Sequence, residues 1–234
     1  MWNGKLKAVT FSIDDGCVGD KRIVEIFNKY GIKGTFNINS GLLNTQYDIR
    51  NEDGEVLETI RKMKAYEVKA VYEGHEVAAH TCTHPNLTAL SEAEIVREVE
   101  EDRKTLSALV SYDVVGMAYP CGGTNNDGRV AKAIQENTPI QYARTITSTY
   151  SFELQENLMQ FNPTIYWIEE QLFETVEKFL TLETDKPQLL YIWGHAFELD
   201  RGREISYEKL ERLCALLAEC NDLFFGTNRE VFNV

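Results

Sequence analysis

Apolar positions along this chain switch repeatedly between two spacings. Residues 7–13 (Lys-Ala-Val-Thr-Phe-Ser-Ile) are β-rich and partly continuous in apolar character, as expected of a strand buried on both faces in a parallel sheet. Residues 20–30 then carry Ile23, Val24, Ile26 and Phe27 at helical spacing, with Gly31 where a C-cap belongs. A second strand is predicted over 34–38. The charged stretch 51–65 reads as a helix, 76–79 as a short strand, and 91–109 as a long amphipathic helix opened by a Ser-x-x-Glu capping box. Further strands are predicted at 114–118, 140–146 and around 164–167, with helices at 127–136 and 169–182. The strand 188–193, a helix over 207–219 behind Ser206 and a short strand at 223–226 complete the pattern, and 148–163 reads as a long surface loop of the kind that often builds sites.

Strands alternating with helices imply βαβ units and a mostly parallel α/β sheet, open or closed. No repeat, low-complexity tract or Pro/Gly/Ser linker breaks the alternation, so residues 1–234 read as a single domain. The formal charge of −13 disfavours nucleic acid and anionic membrane as partners and leaves neutral or cationic ligands. No window approaches the ~18 apolar residues of a spanning helix, and no signal-peptide pattern opens the chain. Five cysteines without regular spacing read as reduced thiols rather than a disulfide framework. The expectation is a soluble, cytoplasmic protein.

Candidate chemistry gathers at two places. Two of the four histidines, His80 and His84, follow the apolar run at 76–79, and Pro85 argues for a strand ending in a tight turn there rather than a helix. Such a pair can hold a divalent ion or lie idle on a surface loop. Asp14 and Asp15 end the first strand. Adjacent strand residues point to opposite faces, so both aspartates serve one site only if the strand stops there, and Gly16 supplies a break.

Taken together, these motifs resemble the polysaccharide deacetylases, carbohydrate esterase family four with its NodB homology domain. That family's T-F-D-D-G matches at Asp14-Asp15-Gly16, and its H-[ST]-x-x-H matches His80-Thr81-Cys82-Thr83-His84, in the same order along nearly the whole chain. The resemblance implies a distorted parallel β/α barrel and a hydrolase of carbon–nitrogen bonds that removes N-acetyl groups from an amino sugar, oligosaccharide or polysaccharide. It implies Asp15, His80 and His84 as ligands of one divalent transition metal, Asp14 as general base and His195, in an L-x-H-like position after the run 189–193, as general acid. Two imidazoles and a carboxylate suit zinc first, then cobalt or nickel, over calcium or magnesium. His75 reads as structural.

The chain departs from the family in two motifs. Its R-P-P-Y-G segment aligns with Ala118-Tyr119-Pro120-Cys121-Gly122, so the arginine that tethers the base is Ala118 here. Arg144 stands as a replacement from a neighbouring strand; without a tether, Asp14 should titrate higher. The D-x-x-D-W segment that orients the acid has no match, and Glu198 and Asp200 are substitutes for it. Tyr119, Pro120, Trp193 and Arg144 form the expected substrate-facing set, with Phe197 as a further aromatic. Cys82 is a rival metal ligand, set aside because an extended Thr81-Cys82-Thr83 turns it from the histidines. A deacylase of a non-sugar amide and a weakly active sugar-binding relative remain alternatives.

Overall fold

The computed structural model describes residues 2–234. Strand β1 (Lys7–Asp14) is buried at every position, and its alternating side chains serve two environments. Phe11 meets Phe27 of α1 (Asp20–Tyr30) at 4.8 Å between ring centroids. Thr10, Ser12 and Asp14, of opposite parity, carry polar contacts to Asn228, Asn37 and Arg144. Every strand packed beside β1 is parallel to it: β2 (Gly34–Ile38), β9 (Gln188–His195) and β10 (Leu223–Phe225).

Beyond β2 the sheet continues through β5 (Glu76–Ala79), β6 (Gly116–Ala118) and β7 (Tyr142–Arg144), and beyond β9 it ends at β8 (Ile165–Tyr166), giving the order β7-β6-β5-β2-β1-β9-β8. The sheet curls. Just ahead of β8, Phe161 makes a parallel bridge to Arg144 of β7, so the chain between the two edge strands spans the gap. The short α2 (Val68–Val71) and the longer α3 (Glu92–Val110), α4 (Gly128–Asn137), α5 (Leu172–Thr181) and α7 (Tyr207–Ala218) bury apolar side chains in one continuous core with the outward faces of the strands. The result is an α/β half-barrel whose C-terminal strand ends, the usual seat of a site in such folds, share one rim.

The helix predicted over 51–65 does not exist. That stretch holds the turn and second strand of the antiparallel hairpin of β3 (Gln46–Arg50) and β4 (Val56–Arg61). Its reversal uses Gly54 at φ 83°, and the Asn51 side chain accepts a hydrogen bond from Glu55 N at 2.8 Å. The Asp53-Gly54 pair is a turn signal that the charge pattern masked. The stretch 148–163 is also tied down, through a Glu153–Gln188 bridge as well as Phe161. Strand β9 runs on to His195 and passes directly into α6 (Ala196–Arg201), and α8 (Asn228–Phe232) closes the chain; neither helix was anticipated. Among the described residues no helix is long and apolar enough to cross a membrane, and all five cysteines are free.

Candidate metal and catalytic site

The two aspartates reach one site because the backbone turns over at Asp15 itself. Asp15 has φ 84° and Gly16 φ 58°, and Asp15 N donates to Asn37 O at 2.9 Å, so β1 stops one residue before the glycine break. A positive φ at a residue other than glycine stores strain, which sites tolerate when their surroundings over-determine it. Burial works to raise the Asp15 carboxyl, but Lys62 first, then His195, His80 and His84, hold it below the carboxylate range.

The histidine turn is built by the same device. Thr81 and His84 have φ 65° and 62°, which folds His84 back until the two imidazole centroids lie 5.0 Å apart. Thr81 is therefore not the extended flank that the sequence suggested for Cys82. That thiol nevertheless lies outside the donor cluster, packed where a Cβ on Gly41 would meet it at 2.8 Å. Helix α3 braces the turn with two acidic residues on its inner face. Asp102 accepts from His80 N at 2.8 Å and from Ser40 N at 2.6 Å, and Glu98 accepts from Thr83 N and Oγ1, both at 2.9 Å.

Asp15, His80 and His84 each offer a ligand atom, all within 4.8 Å of one another. His80 Nδ1 is 2.9 Å from Ala118 O, a contact that assigns the proton to Nδ1 and leaves the Nε2 lone pair toward the aspartates. His84 Nε2 is 3.6 Å from Asp15 Oδ1. Burial lowers the pKa of both histidines, His84 to about 4, so both are neutral donors near pH 7. Two neutral imidazoles, one carboxylate and no competing thiolate fit a divalent transition ion.

Arg144 reaches Asp14 from the far side of the curl. Strand β7 is not a neighbour of β1, since β6, β5 and β2 lie between them, and only the curvature brings them face to face. The fully buried Arg144 donates from Nη2 to Asp14 Oδ2, while Asn37 Nδ2 donates to Asp14 Oδ1 at 2.8 Å. Burial acts to raise the Asp14 carboxyl, but Arg144 first, with His80 and His195, holds it below its ordinary value. This corrects the expectation of a raised Asp14. It also removes Arg144 from the substrate-facing surface: its guanidinium is wholly enclosed, 4.4 Å from the Trp193 ring.

On the other side of the rim, His195 Nδ1 lies 3.0 Å from Glu198 Oε1. Glu198 also accepts from Tyr166 OH, from Trp167 Nε1 at 2.6 Å and from His195 N at 3.0 Å. The close approach of Trp167 depends on Gly194, where a Cβ would sit 2.0 Å from the indole. Burial pushes Glu198 up to about 8 and His195 down. Asp200, the other substitute, is exposed and makes no such contact with His195.

Between these groups lies a cavity of about 420 Å³ lined by Asp14, Asp15, His80, His84 and His195 and by the rings of Tyr119, Tyr166, Trp193 and Phe197. Tyr119 OH donates to Met159 O at 2.7 Å, and Trp193 stacks on Tyr166 at 4.1 Å. Pro120 is buried and does not line the cavity, whereas Cys121 and Gly122 do. His75 lies away from it, its Nδ1 accepting from Gly34 N at 3.1 Å.

Sequence reading passed over Lys62, Asn37, Glu98, Asp102 and Tyr166. Glu98 and Asp102 did carry a signal, two acids four residues apart among Ile95, Val99 and Leu106 on the buried stripe of α3. A buried acid on an apolar face asks for a partner.

A curled parallel sheet thus brings an Asp/His/His cluster and a separate His/Glu pair to its C-terminal rim. The polysaccharide deacetylase family model matches residues 3–142, more than half of the chain, and the protein belongs to that family. Membership of that family supports a hydrolase acting on acetyl groups. Among solved structures, a mutant of a CE4 family pseudoenzyme from Bacillus anthracis with restored enzymatic activity is 19% identical over 97% of this chain and 67% of that one, at TM-score 0.62. A peptidoglycan N-acetylglucosamine deacetylase is 16% identical over 99% and 90%, at TM-score 0.59. The family 4 acetyl xylan esterase of Clostridium thermocellum, in complex with a cobalt ion, is 13% identical over 97% and 90%, also at 0.59. At these identities the likeness is one of fold.

Proposed function

We propose that this protein is a metal-dependent hydrolase that removes an N-acetyl group from an amino sugar or short oligosaccharide. The observation that carries the reading is the convergence of an ion-paired carboxylate, a three-donor cluster and a His/Glu dyad on one aromatic-walled cavity. A divalent ion held by Asp15, His80 and His84 would supply Lewis acidity toward the acetamide carbonyl. Asp14, kept ionised by Arg144, is the base that accepts a proton from the attacking water. His195, whose Nδ1 faces Glu198, is the acid that delivers a proton to the departing amine. The rings of Tyr166 and Phe197 offer apolar surface to a sugar, with Trp193 stacked behind Tyr166, and exclude water from the reacting carbonyl.

Acetate release from N-acetylated sugar oligomers, measured on chelator-treated protein before and after adding back zinc, cobalt or nickel, tests the reading. Stripped protein should be inactive and one equivalent of metal should restore it; His80→Ala and His84→Ala should lose tight binding. Full activity after stripping, or undiminished metal in both variants, would overturn it. Release of acetate only from acetamides that carry no sugar would keep the chemistry and move the substrate outside the carbohydrates.

The assignment of the acid has its own consequence. His195→Ala should lose roughly two to four orders of magnitude on an acetamide and much less on an acetate ester, because an alkoxide departs with less help than an amine. Equal losses on the two substrates would remove His195 from the leaving-group side.

A further inference from the structure

The hairpin that replaces the expected helix brings a buried cation to the donor cluster. Lys62, directly after β4, is 3% exposed. Both polar contacts of its side chain are with Asp15: Nζ donates to Asp15 O at 2.8 Å and stands 3.3 Å from Oδ1. That same Oδ1 lies 3.6 Å from His84 Nε2 and 4.0 Å from His80 Nε2, so it is the carboxylate oxygen turned toward the cluster.

This contact is anchored by the main chain. Val18 N donates to Arg61 O at 2.9 Å and Met63 N to Gly16 O at 2.8 Å, with a bridge between Cys17 and Lys62. The strand leaving the hairpin is thereby zipped to the loop that carries Asp15, and Lys62 has no route to solvent. A buried ammonium is retained only where it is paired.

We propose that Lys62 is a positioning residue that fixes the Asp15 carboxylate and, as a cation beside it, weakens the affinity of the Asp15/His80/His84 cluster for a divalent ion. The inference rests on the function proposed above. Its sign follows from Coulomb's law. A divalent ion on Oδ1 and the ammonium at 3.3 Å from the same atom repel each other, and at the effective dielectric of a partly enclosed site this repulsion outweighs the gain from a pre-ordered carboxylate, by roughly 10- to 100-fold in dissociation constant. A lysine that served only to hold the loop would act the other way, since its removal would loosen Asp15 and weaken binding.

Calorimetric titration of the metal-stripped full chain with cobalt separates the two. Lys62→Met should bind roughly 10- to 100-fold tighter than the unsubstituted protein, and Lys62→Arg, which keeps the charge, should stay within about threefold of it. If Lys62→Met fails to fold, Lys62→Gln removes the charge while keeping a donor for Asp15 O and should tighten binding in the same sense. Cobalt binding by the unsubstituted chain with equal or weaker binding in the folded neutral variant overturns this inference alone. Absence of binding by the unsubstituted chain overturns the proposed function and this inference with it.

Discussion

Asp14→Asn is expected to keep one equivalent of metal and to lose roughly two to four orders of magnitude in turnover, the usual contribution of a positioned general base. Asparagine preserves the shape of the side chain but cannot take a proton at neutral pH. The metal content is the control, because Asp14 lies beside the donor cluster without belonging to it: its Oδ2 is 3.9 Å from His80 Nε2 and is already claimed by Arg144. The substitution also leaves the Arg144 guanidinium buried without its counterion, so kinetics must be read at a temperature where both proteins are folded. Loss of the metal in Asp14→Asn would mean that the roles of Asp14 and Asp15 are reversed. Wild-type turnover would remove the base altogether.

Arg144→Met should cost about 3–5 kcal/mol of stability, the range for removing one partner of a buried ion pair. The pair is enclosed on both sides, Arg144 wholly and Asp14 at 2% exposure. Urea unfolding of the two proteins measures the difference. The same variant changes the pH dependence. In the intact protein Asp14 is held below its ordinary value of 3.8, so its contribution to stability is complete above that pH and is lost as the pH falls through the lower folded value. Activity lost in mild acid is then owed to other groups. Without Arg144, burial acts against fewer cations and the Asp14 pKa rises, so the acid limb of the rate profile should move to higher pH. An unchanged acid limb in a folded Arg144→Met protein would show that Asp14 still titrates below the groups that set that limb. Arg144→Lys keeps the charge without the planar fork and should recover part of both losses.

Residues whose chemistry is local were legible in the sequence. The alternation of apolar spacing located the parallel strands, and Asp14-Asp15-Gly16 and His80 to His84 each lie within one short loop, so their spacing alone marked them as candidates. Caps were equally local: Ser91 and Glu94 form the reciprocal box that the Ser-x-x-Glu pattern announced. His195 was singled out through the family resemblance, from an L-x-H-like position after an apolar run. Its partner Glu198, three residues on, was one of two choices between which sequence could not decide, because only the direct passage of β9 into α6 turns Glu198 back to the imidazole and leaves Asp200 outside.

What only the tertiary structure decided are the contacts made across the curl and across the chain. Arg144 meets Asp14 across 130 positions of sequence, and nothing in the local pattern of either strand specifies that meeting; it depends on how far the sheet bends between β1 and β7. Lys62 stood hidden in a stretch whose charges resembled a solvated helix face, and it became part of the site once a Gly54 turn converted that stretch into a hairpin zipped to the Asp15 loop. Short-range spacing can bring ligand-type residues to one turn, because a few backbone angles settle their separation. The charges that tune those residues come from remote elements, and their positions follow from the packing of the whole barrel rather than from any one segment of it.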